Sequence, residues 1–235
     1  MSEKVPWRRI VVEGLVVVVS ILLAFAIDAA WDNRSAAKAE RALLTSLRAE
    51  FDSNRSAIEN SIQFHERDVA VASFLLRAQP NTPLDSLATA VAASTYFRTT
   101  DARVGAISSA IEGGSLERLE NEELRALIAS WPGDFNDVGE NESLEWSLVH
   151  EDQLRLIGEY TDVASLAAFT GAWPSPVRNP GEPSAAALRR LVNDARFRTI
   201  VFQRFINDRL IVNELETLLA RVNELLSLID AEITS

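Results

Sequence analysis

The two histidines, His65 and His150, are the first candidates for metal or acid–base chemistry in this chain. Di-iron bundles use Glu-x-x-His motifs on two helices, and zinc proteases use His-Glu-x-x-His. Neither motif occurs here, although Glu66 directly follows His65. The run His150-Glu151-Asp152 is a weak ligand cluster, because neighbouring side chains point in different directions on a helix. We therefore interpret His65 as a hydrogen-bonded core histidine and predict no metal or cofactor site.

Other catalytic patterns are equally weak. Gly113-Gly114-Ser115 lacks the GxxxxGK[ST] context of a phosphate-binding loop, and no G-x-S-x-G nucleophile turn is present. The pair Glu122-Glu123 could serve acid–base catalysis, but it is better explained as surface charge in the first turn of a helix. The chain has no cysteine, which excludes thiolate catalysis, disulfides and cysteine-ligated metals. The sequence thus predicts a protein that is not an enzyme.

Acidic residues outnumber basic residues, and the two types are unevenly distributed along the chain. Its 235 residues carry 34 acidic and 23 basic side chains, a net charge of -11. Residues 1–9 run against this trend and form a basic tail with Lys4, Arg8 and Arg9. An acidic body repels phosphate backbones, so nucleic acid is not expected as a partner.

Residues 10–30 are predicted to cross a lipid bilayer as one helix. The stretch from Gly14 to Ile27 has no charged residue, and a helix of this total length spans roughly 30 Å, the thickness of the hydrocarbon core. Trp7 and Trp31 flank it and are predicted interface anchors. A cleaved signal peptide is the alternative, suggested by Ala24-Phe25-Ala26. The helical pattern continues past this site without a break, which favours a retained span.

The orientation of the span follows from the basic residues beside it. Three lie within nine residues on the N-terminal side, whereas Arg34, Lys38, Arg41 and Arg48 are spread among acids on the other side. The positive-inside rule therefore places the N-terminus in the cytoplasm and residues 31–235 outside it.

One face of the span carries small and polar residues at steps of four, three, four and four. They are Glu13, Val17, Ser20, Ala24 and Asp28. Helix–helix contacts in lipid use such residues, and ionisable groups within a span usually have a partner. We interpret this transmembrane stripe as a contact surface for another integral membrane protein or for self-association. The alternative is that Glu13 and Asp28 lie near the two interfaces and reach water.

Residues 31–235 are predicted to form an all-α, elongated antiparallel bundle, because long helical patterns are separated by few breakers. The first helix continues from the span to about Gln79. Shorter helices are expected over about 83–97, with Thr82 as N-cap, over about 101–112, ended by Gly113-Gly114, and over about 122–131, with Asn121 as N-cap. A break is expected at Pro132-Gly133, followed by a long helix over about 134–169. A proline-rich loop covers 171–183, a short helix 184–192, and a last long helix about 194–233.

Two seams of alternating three- and four-residue steps predict which faces are buried. The seam of the first helix comprises Leu44, Leu47, Phe51, Asn54, Ile58, Ser61, His65, Asp68, Ala72 and Leu75. That of the last helix comprises Ile211, Leu215, Leu218, Val222, Leu225 and Ile229. Trp131, Trp146 and Trp173 are expected to be core anchors, with a partner-binding surface as the alternative.

Two stretches resemble a widespread bacterial family of uncharacterised single-span membrane proteins. The end of the span matches an Ala-x-x-Ile-(Asp/Asn)-x-x-Trp-(Asp/Asn) pattern, and a glycine turn followed by a helix ending in tryptophan provides the second match. The matching positions are Glu13, Ala24, Ile27, Asp28, Trp31, Asp32, Gly114, Leu116, Leu119, Asn121, Glu123, Leu124, Arg125 and Trp131. The resemblance implies a bacterial protein of this architecture, but no activity. Together with the predicted orientation, this places the span in the bacterial inner membrane and residues 31–235 in the periplasm.

Two functions are therefore expected. The first is a non-enzymatic membrane-anchored scaffold or accessory subunit of a larger membrane assembly, whether respiratory, photosynthetic, transport or envelope-related. The second is a ligand-binding sensory bundle that signals through a partner protein, because only nine residues lie on the cytoplasmic side. A stable stoichiometric partner would favour the first, and a small molecule bound inside the bundle the second.

Overall fold

The chain is described from a computed structural model that covers residues 7–166, 169 and 183–234, with side chains from residue 13 onward. The helices are α1 Trp7–Leu76, α2 Leu84–Ala93, α3 Gly105–Glu112, α4 Glu122–Ser147, α5 Leu154–Gly158, α6 Val163–Leu166, α7 Ala185–Asn193 and α8 Ala195–Thr234. A 3-10 turn covers Ser115–Arg118, and a π-helix covers Leu148–Gln153. These described parts contain no strand, which confirms the all-α prediction. The side chain of Trp7, most of the proline-rich loop and Trp173 lie outside the described residues.

The two longest helices, α1 and α8, run antiparallel. Arg48 contacts Asp230 at 2.6 Å near one end of the pair, and Arg198 donates to the carbonyl of Leu76 at 3.0 Å near the other. A 40-residue α8 is about 60 Å long. Helix α4 packs against the same α8, also antiparallel, through Asn141 and Glu214 at 2.8 Å. These three helices form the body of the bundle.

Every member of both predicted seams is buried. The apolar members form two clusters along the bundle. One joins the 44–62 region of α1 to α3, α4 and the C-terminal half of α8. The other joins the end of α1 to α2, α5, α7 and the start of α8. The periodic spacing of apolar side chains thus predicted the buried faces correctly.

Helix α4 continues through Pro132, so the predicted break at Pro132-Gly133 is wrong. A proline inside a helix removes one hydrogen bond and costs about 3 kcal/mol. Here packing on both sides of Pro132 holds the helix together. Trp131 is fully buried against Phe51, with ring centroids 5.3 Å apart, and Val138 is buried about two turns later. Pro132 itself is exposed to solvent.

The predicted single helix over 134–169 is also wrong in its second half. The chain passes from α4 into the π-helix and then α5, and it turns after Gly158 before the short α6. A π-helix has about 4.4 residues per turn, so it rotates the following residues relative to an α-helix. In this way Gln153, Leu156 and Ile157 all face the interior.

The ends of the shorter helices depend on local hydrogen bonds. As predicted, the side chain of Asn121 caps α4 by accepting from the amide of Leu124 at 3.0 Å. Gly114 ends the α3 segment with a φ of 65°, a left-handed conformation that favours glycine. Thr82 was expected to cap α2, but its hydroxyl instead accepts from the amide of Gln79. Helix α2 begins after Pro83 and ends at Ala93, four residues earlier than predicted.

Candidate functional site: an exposed apolar helix and a buried polar layer

The first part of α1 is long and apolar enough to cross a membrane. An 18-residue window has a mean hydropathy of 2.3, and none of it is buried. Large side chains such as Leu15, Phe25 and Ile27 are more than half exposed. A core helix of a soluble protein buries such residues, and exposed apolar surface of this extent marks a membrane or protein contact.

All five residues of the transmembrane stripe lie on this exposed part of α1. The helix is regular over their whole range, so their spacing does place them along one side. The hydroxyl of Ser20 donates to the carbonyl of Val16 at 2.8 Å and is thus satisfied within its own helix. Trp31, the predicted anchor at the far end of the span, is 75% exposed. Their role as a contact surface stays a prediction.

The most unusual feature of the bundle is a layer of buried polar side chains between the two apolar clusters. We call it the polar layer. Its members come from α1, from the segment after α2, from α4 and the π-helix, and from α8. They are Ser61, His65, Asp68, Ser94, Thr100, Glu142, Glu145, Gln153, Arg204, Asn207 and Asp208, each less than one-tenth exposed.

Arg204 lies at the centre of this layer. Its Nε donates to Oε1 of Glu145 at 2.5 Å, and its Nη1 donates to Oε1 of Gln153 at 3.1 Å and to the carbonyl oxygen of Ser94. Its Nη2 lies 3.3 Å from both Oδ2 of Asp68 and the carbonyl of Tyr96. A guanidinium has five N–H donors in a planar fork, so one side chain can join all these elements.

A second buried pair joins α1 to α8 beside Arg204. Nδ1 of His65 lies 2.7 Å from Oδ1 of Asp208, and both side chains are 1% exposed. The other polar atoms of the pair, Nε2 of His65 and Oδ2 of Asp208, have no hydrogen-bond partner among the described residues. His65 is therefore the hydrogen-bonded core histidine that the sequence predicted.

Glu142 and Thr100 link α4 to the segment that follows α2. Both the amide and the hydroxyl of Thr100 donate to Oε1 of Glu142, at 2.8 and 2.7 Å. The hydroxyl of Thr100 also lies 2.8 Å from that of Ser61 on α1. Glu142 thus pairs the backbone amide of Thr100 where the segment borders the polar layer.

Burial shifts the pKa values of three acids of the layer, Asp68, Glu142 and Glu145, so that their neutral forms are favoured. It raises the pKa of Asp68 to about 7, although the positive charge of Arg204 opposes this. It also raises the pKa of Glu142 and of Glu145, against hydrogen bonds from Thr100 and the charge of Arg204, respectively. The cause in each case is the loss of water around a carboxylate.

Two further polar residues of α1 hold the chain that leads into α3. Glu50 accepts the amides of Ala106 and Ile107 at 2.7 and 3.0 Å, and so caps a helix from a distant part of the chain. Asn54 exchanges two hydrogen bonds with the backbone of Arg103, at 2.8 and 2.7 Å. The contacts of Asn54 explain why a polar residue interrupts the apolar seam of α1 at this position.

The polar layer has little room for a ligand. A cavity of about 10 Å³ lies between α1 and α8 and is bordered by Asp68, Ser94 and Arg204. That volume admits about one water molecule. Across the described residues, no group of three histidine, cysteine or acidic side chains is placed to hold a metal ion. His150, the other histidine, stacks on the half-exposed Trp146 at the surface, with ring centroids 4.8 Å apart.

A larger open groove of about 440 Å³ lies near the far end of the bundle, between α5 and the start of α8. Arg196 lies along it and contacts Glu159 at 3.0 Å and Asp194 at 2.9 Å. Hydrogen bonds from Arg196 and Tyr160 hold the pKa of Asp194 well below its usual range. The charged groups of this groove are thus largely paired with one another.

Arg204, Glu145 and Asp208 were not predicted from the sequence to lie in a site. A signal for two of them was present, because the α8 seam continues from Ile211 toward the N-terminus in steps of three and four to Asp208 and Arg204. These charged members face the polar members of the α1 seam. No comparable signal marks Glu145, since its burial depends on how α4 packs.

The chain matches no protein-family model, and no curated protein or solved structure is detectably similar to it.

Proposed function

We propose that this protein is a non-enzymatic, membrane-anchored scaffold or accessory subunit of a larger assembly in a bacterial inner membrane. The observation that carries the proposal is the continuity of α1. This one 70-residue helix is exposed and apolar in its first part and forms a buried seam of the bundle from Leu44 onward. A membrane anchor and a folded domain are thus one rigid element.

That continuity gives the bundle a defined height above the bilayer. From Ala30 to Leu44 the helix advances about 20 Å. The C-terminal end of α8 packs back beside this point, where Arg41 donates to the carbonyl of Ile233 at 2.9 Å. A flexible linker would allow the domain to change its distance and orientation relative to the membrane. A continuous helix holds the domain at one distance and orientation from a partner in the membrane.

The interior of the bundle supports a role without catalysis. The ionisable side chains of the polar layer are buried and bonded mainly to one another, and the adjoining cavity of about 10 Å³ cannot admit a substrate. The transmembrane stripe provides a route to a partner, since Ala24 allows another helix to approach closely. With the basic tail in the cytoplasm, the bundle lies in the periplasm.

A ligand-binding sensory module is the second candidate. The observation in its favour is the groove between α5 and α8, because its volume of about 440 Å³ lies within the range of small-molecule sites. A signal from that groove would have to reach a partner through α1 or α8.

The scaffold proposal is tested by Ala24→Leu, with Leu23→Ala as its control. Both residues are exposed on the same turn of α1, but only Ala24 belongs to the stripe. The chain is purified in mild detergent and its co-migrating proteins are quantified. We expect a stoichiometric partner that is retained by Leu23→Ala and lost by Ala24→Leu, with both variants inserted normally.

If the wild-type protein purifies alone at every detergent strength, the accessory-subunit proposal is wrong. If both variants keep the same partner, the stripe faces lipid and docking occurs through the bundle. A small molecule that co-purifies and is released by Arg196→Ala would instead favour the sensory module.

A further inference from the structure

The polar layer contains more acidic groups than basic ones. Four carboxyl groups, from Asp68, Glu142, Glu145 and Asp208, share the interior with only Arg204 and His65. Full ionisation of all six would leave an excess of two negative charges between two apolar clusters. An unpaired charge in such surroundings costs several kcal/mol, and a buried group usually becomes neutral instead.

We propose that the polar layer is a proton-binding site in which Asp68 holds a proton in mildly acidic solution, and that loss of this proton as the pH rises to neutrality weakens the packing of α1 against α8. The ligand is therefore H⁺, and the site is formed by side chains that three helices bring together. This inference does not depend on the proposed scaffold function.

The contacts of Arg204 identify Asp68 as the carboxyl that holds the proton. Glu145 receives the short Nε bond of 2.5 Å and a second bond of 3.2 Å from Asn207. Asp68 is 3.3 Å from Nη2, a donor that the carbonyl of Tyr96 shares at the same distance. Charge-assisted hydrogen bonds stabilise an ionised carboxylate, so Glu145 keeps its charge more readily than Asp68 does.

Charged groups face Asp68 from each helix that packs around it. His65 on α1 and Arg204 on α8 favour its ionised form, whereas Asp208 on α8 and Glu145 on α4 oppose it. The segment between α2 and α3 contributes the carbonyls of Ser94 and Tyr96 to Arg204. The balance of these charges, together with burial, puts the pKa of Asp68 at about 7.

Asp68 is the most exposed of the four acids in the layer. It is 8% exposed and borders the cavity of about 10 Å³, which is roughly the size of one water molecule. Glu142, Glu145 and Asp208 are 4%, 1% and 0% exposed. A proton can therefore enter and leave at Asp68 without opening of the bundle.

The direction of the pH effect follows from linkage. A carboxyl whose pKa is about 7 when folded and about 4 when unfolded keeps its proton in the folded state over that interval, while the unfolded chain loses it. Its contribution to stability is complete below about pH 4 and is lost as the pH rises to about 7. For one proton in a chain of this size, the midpoint of thermal unfolding should fall by roughly 3–5 °C per pH unit in that window.

The test compares the full-length protein with Asp68→Asn and Glu66→Gln in the same detergent. Asparagine mimics the neutral carboxyl of Asp68, and Glu66→Gln removes the same charge from an exposed position of the same helix. Thermal unfolding is followed by circular dichroism from about pH 5 to about pH 8. We expect the wild type and Glu66→Gln to lose stability together as the pH rises. Asp68→Asn should show a flatter profile and a higher midpoint than the wild type at the alkaline end.

A profile of Asp68→Asn parallel to that of the wild type would overturn the proposal. Infrared spectroscopy of the wild type provides a second measurement that remains valid if the variant fails to fold. A carbonyl stretch of a protonated carboxyl group that disappears as the pH rises through about 7 supports the proton site. Its absence at about pH 6 contradicts it.

Discussion

His65 and Asp208 form a buried pair between the two longest helices, with Nδ1 and Oδ1 2.7 Å apart although 143 residues separate them in the chain. The pair lies beside Arg204 in the polar layer, where apolar packing on both sides excludes water. Its geometry fixes the register of α1 against α8, because a shift by one turn would leave both groups buried without a partner.

Removing one member of this pair should destabilise the folded protein. His65→Leu leaves the carboxylate of Asp208 buried without its partner, so the free energy of unfolding should fall by about 3–5 kcal/mol. The double variant His65→Leu/Asp208→Leu removes both polar groups and should recover part of that loss. Urea unfolding followed by tryptophan fluorescence measures both. If the loss of the double variant equals the sum of the losses of His65→Leu and Asp208→Leu measured singly, the pair is not coupled.

The α8 seam can be tested at Leu218, which is 4% exposed in the first apolar cluster. Leu218→Asp places an unpaired charge in that contact and should destabilise the bundle by several kcal/mol, about 3 or more. Thr217→Asp introduces the same side chain at the preceding position, which is exposed. This variant should change the free energy of unfolding by less than about 0.5 kcal/mol. The measurement is the thermal midpoint, and similar midpoints for the two variants would contradict the packing of α8.

Replacing Pro132, in contrast, should stabilise the folded protein. It is exposed within a continuous helix, so Pro132→Ala should restore the hydrogen bond to Ile128 and raise the free energy of unfolding by about 1–3 kcal/mol. Pro83→Ala, at the residue preceding α2, serves as a control and should not stabilise the protein. If Pro132→Ala lowers the thermal midpoint, α4 does break at this residue in solution.

Glu50 should hold the start of α3 in place. Glu50→Ala removes both acceptors for the amides of Ala106 and Ile107, at a cost of about 1–2 kcal/mol. Hydrogen exchange should accelerate at these two amides while the centre of α8 stays protected. Glu59→Ala, an exposed acid on the same helix, is the matched control and should leave exchange unchanged.

The orientation of the span is testable with reporters fused after Ser235. With the basic tail in the cytoplasm, a reporter that is active only in the periplasm should be active, and a cytoplasmic reporter at the same position should be inactive. The reverse pair of results would place the bundle in the cytoplasm. A fusion that carries Lys4, Arg8 and Arg9 replaced by glutamine should weaken the preference.

The sequence by itself determined the features that depend on spacing. Two seams, an uninterrupted apolar stretch and a scarcity of glycine and proline predicted the helices, their buried faces and the candidate span. Asn121 and Gly114 were predicted as helix-end signals for the same reason: their effect involves only residues within one turn. Such features are local or periodic, so the order of residues is sufficient to reveal them.

Only the tertiary structure decided which polar residues meet. The path of α4 through Pro132 depends on the burial of Trp131 against α1, and the π-helix sets which residues beyond it face inward. Glu145 reaches Arg204 because α4 and α8 are packed together, although 59 residues separate them in the chain. Contacts of this kind arise from the packing of distant segments, and the physical reason they escape sequence patterns is that burial energy and charge pairing outweigh local helix preference.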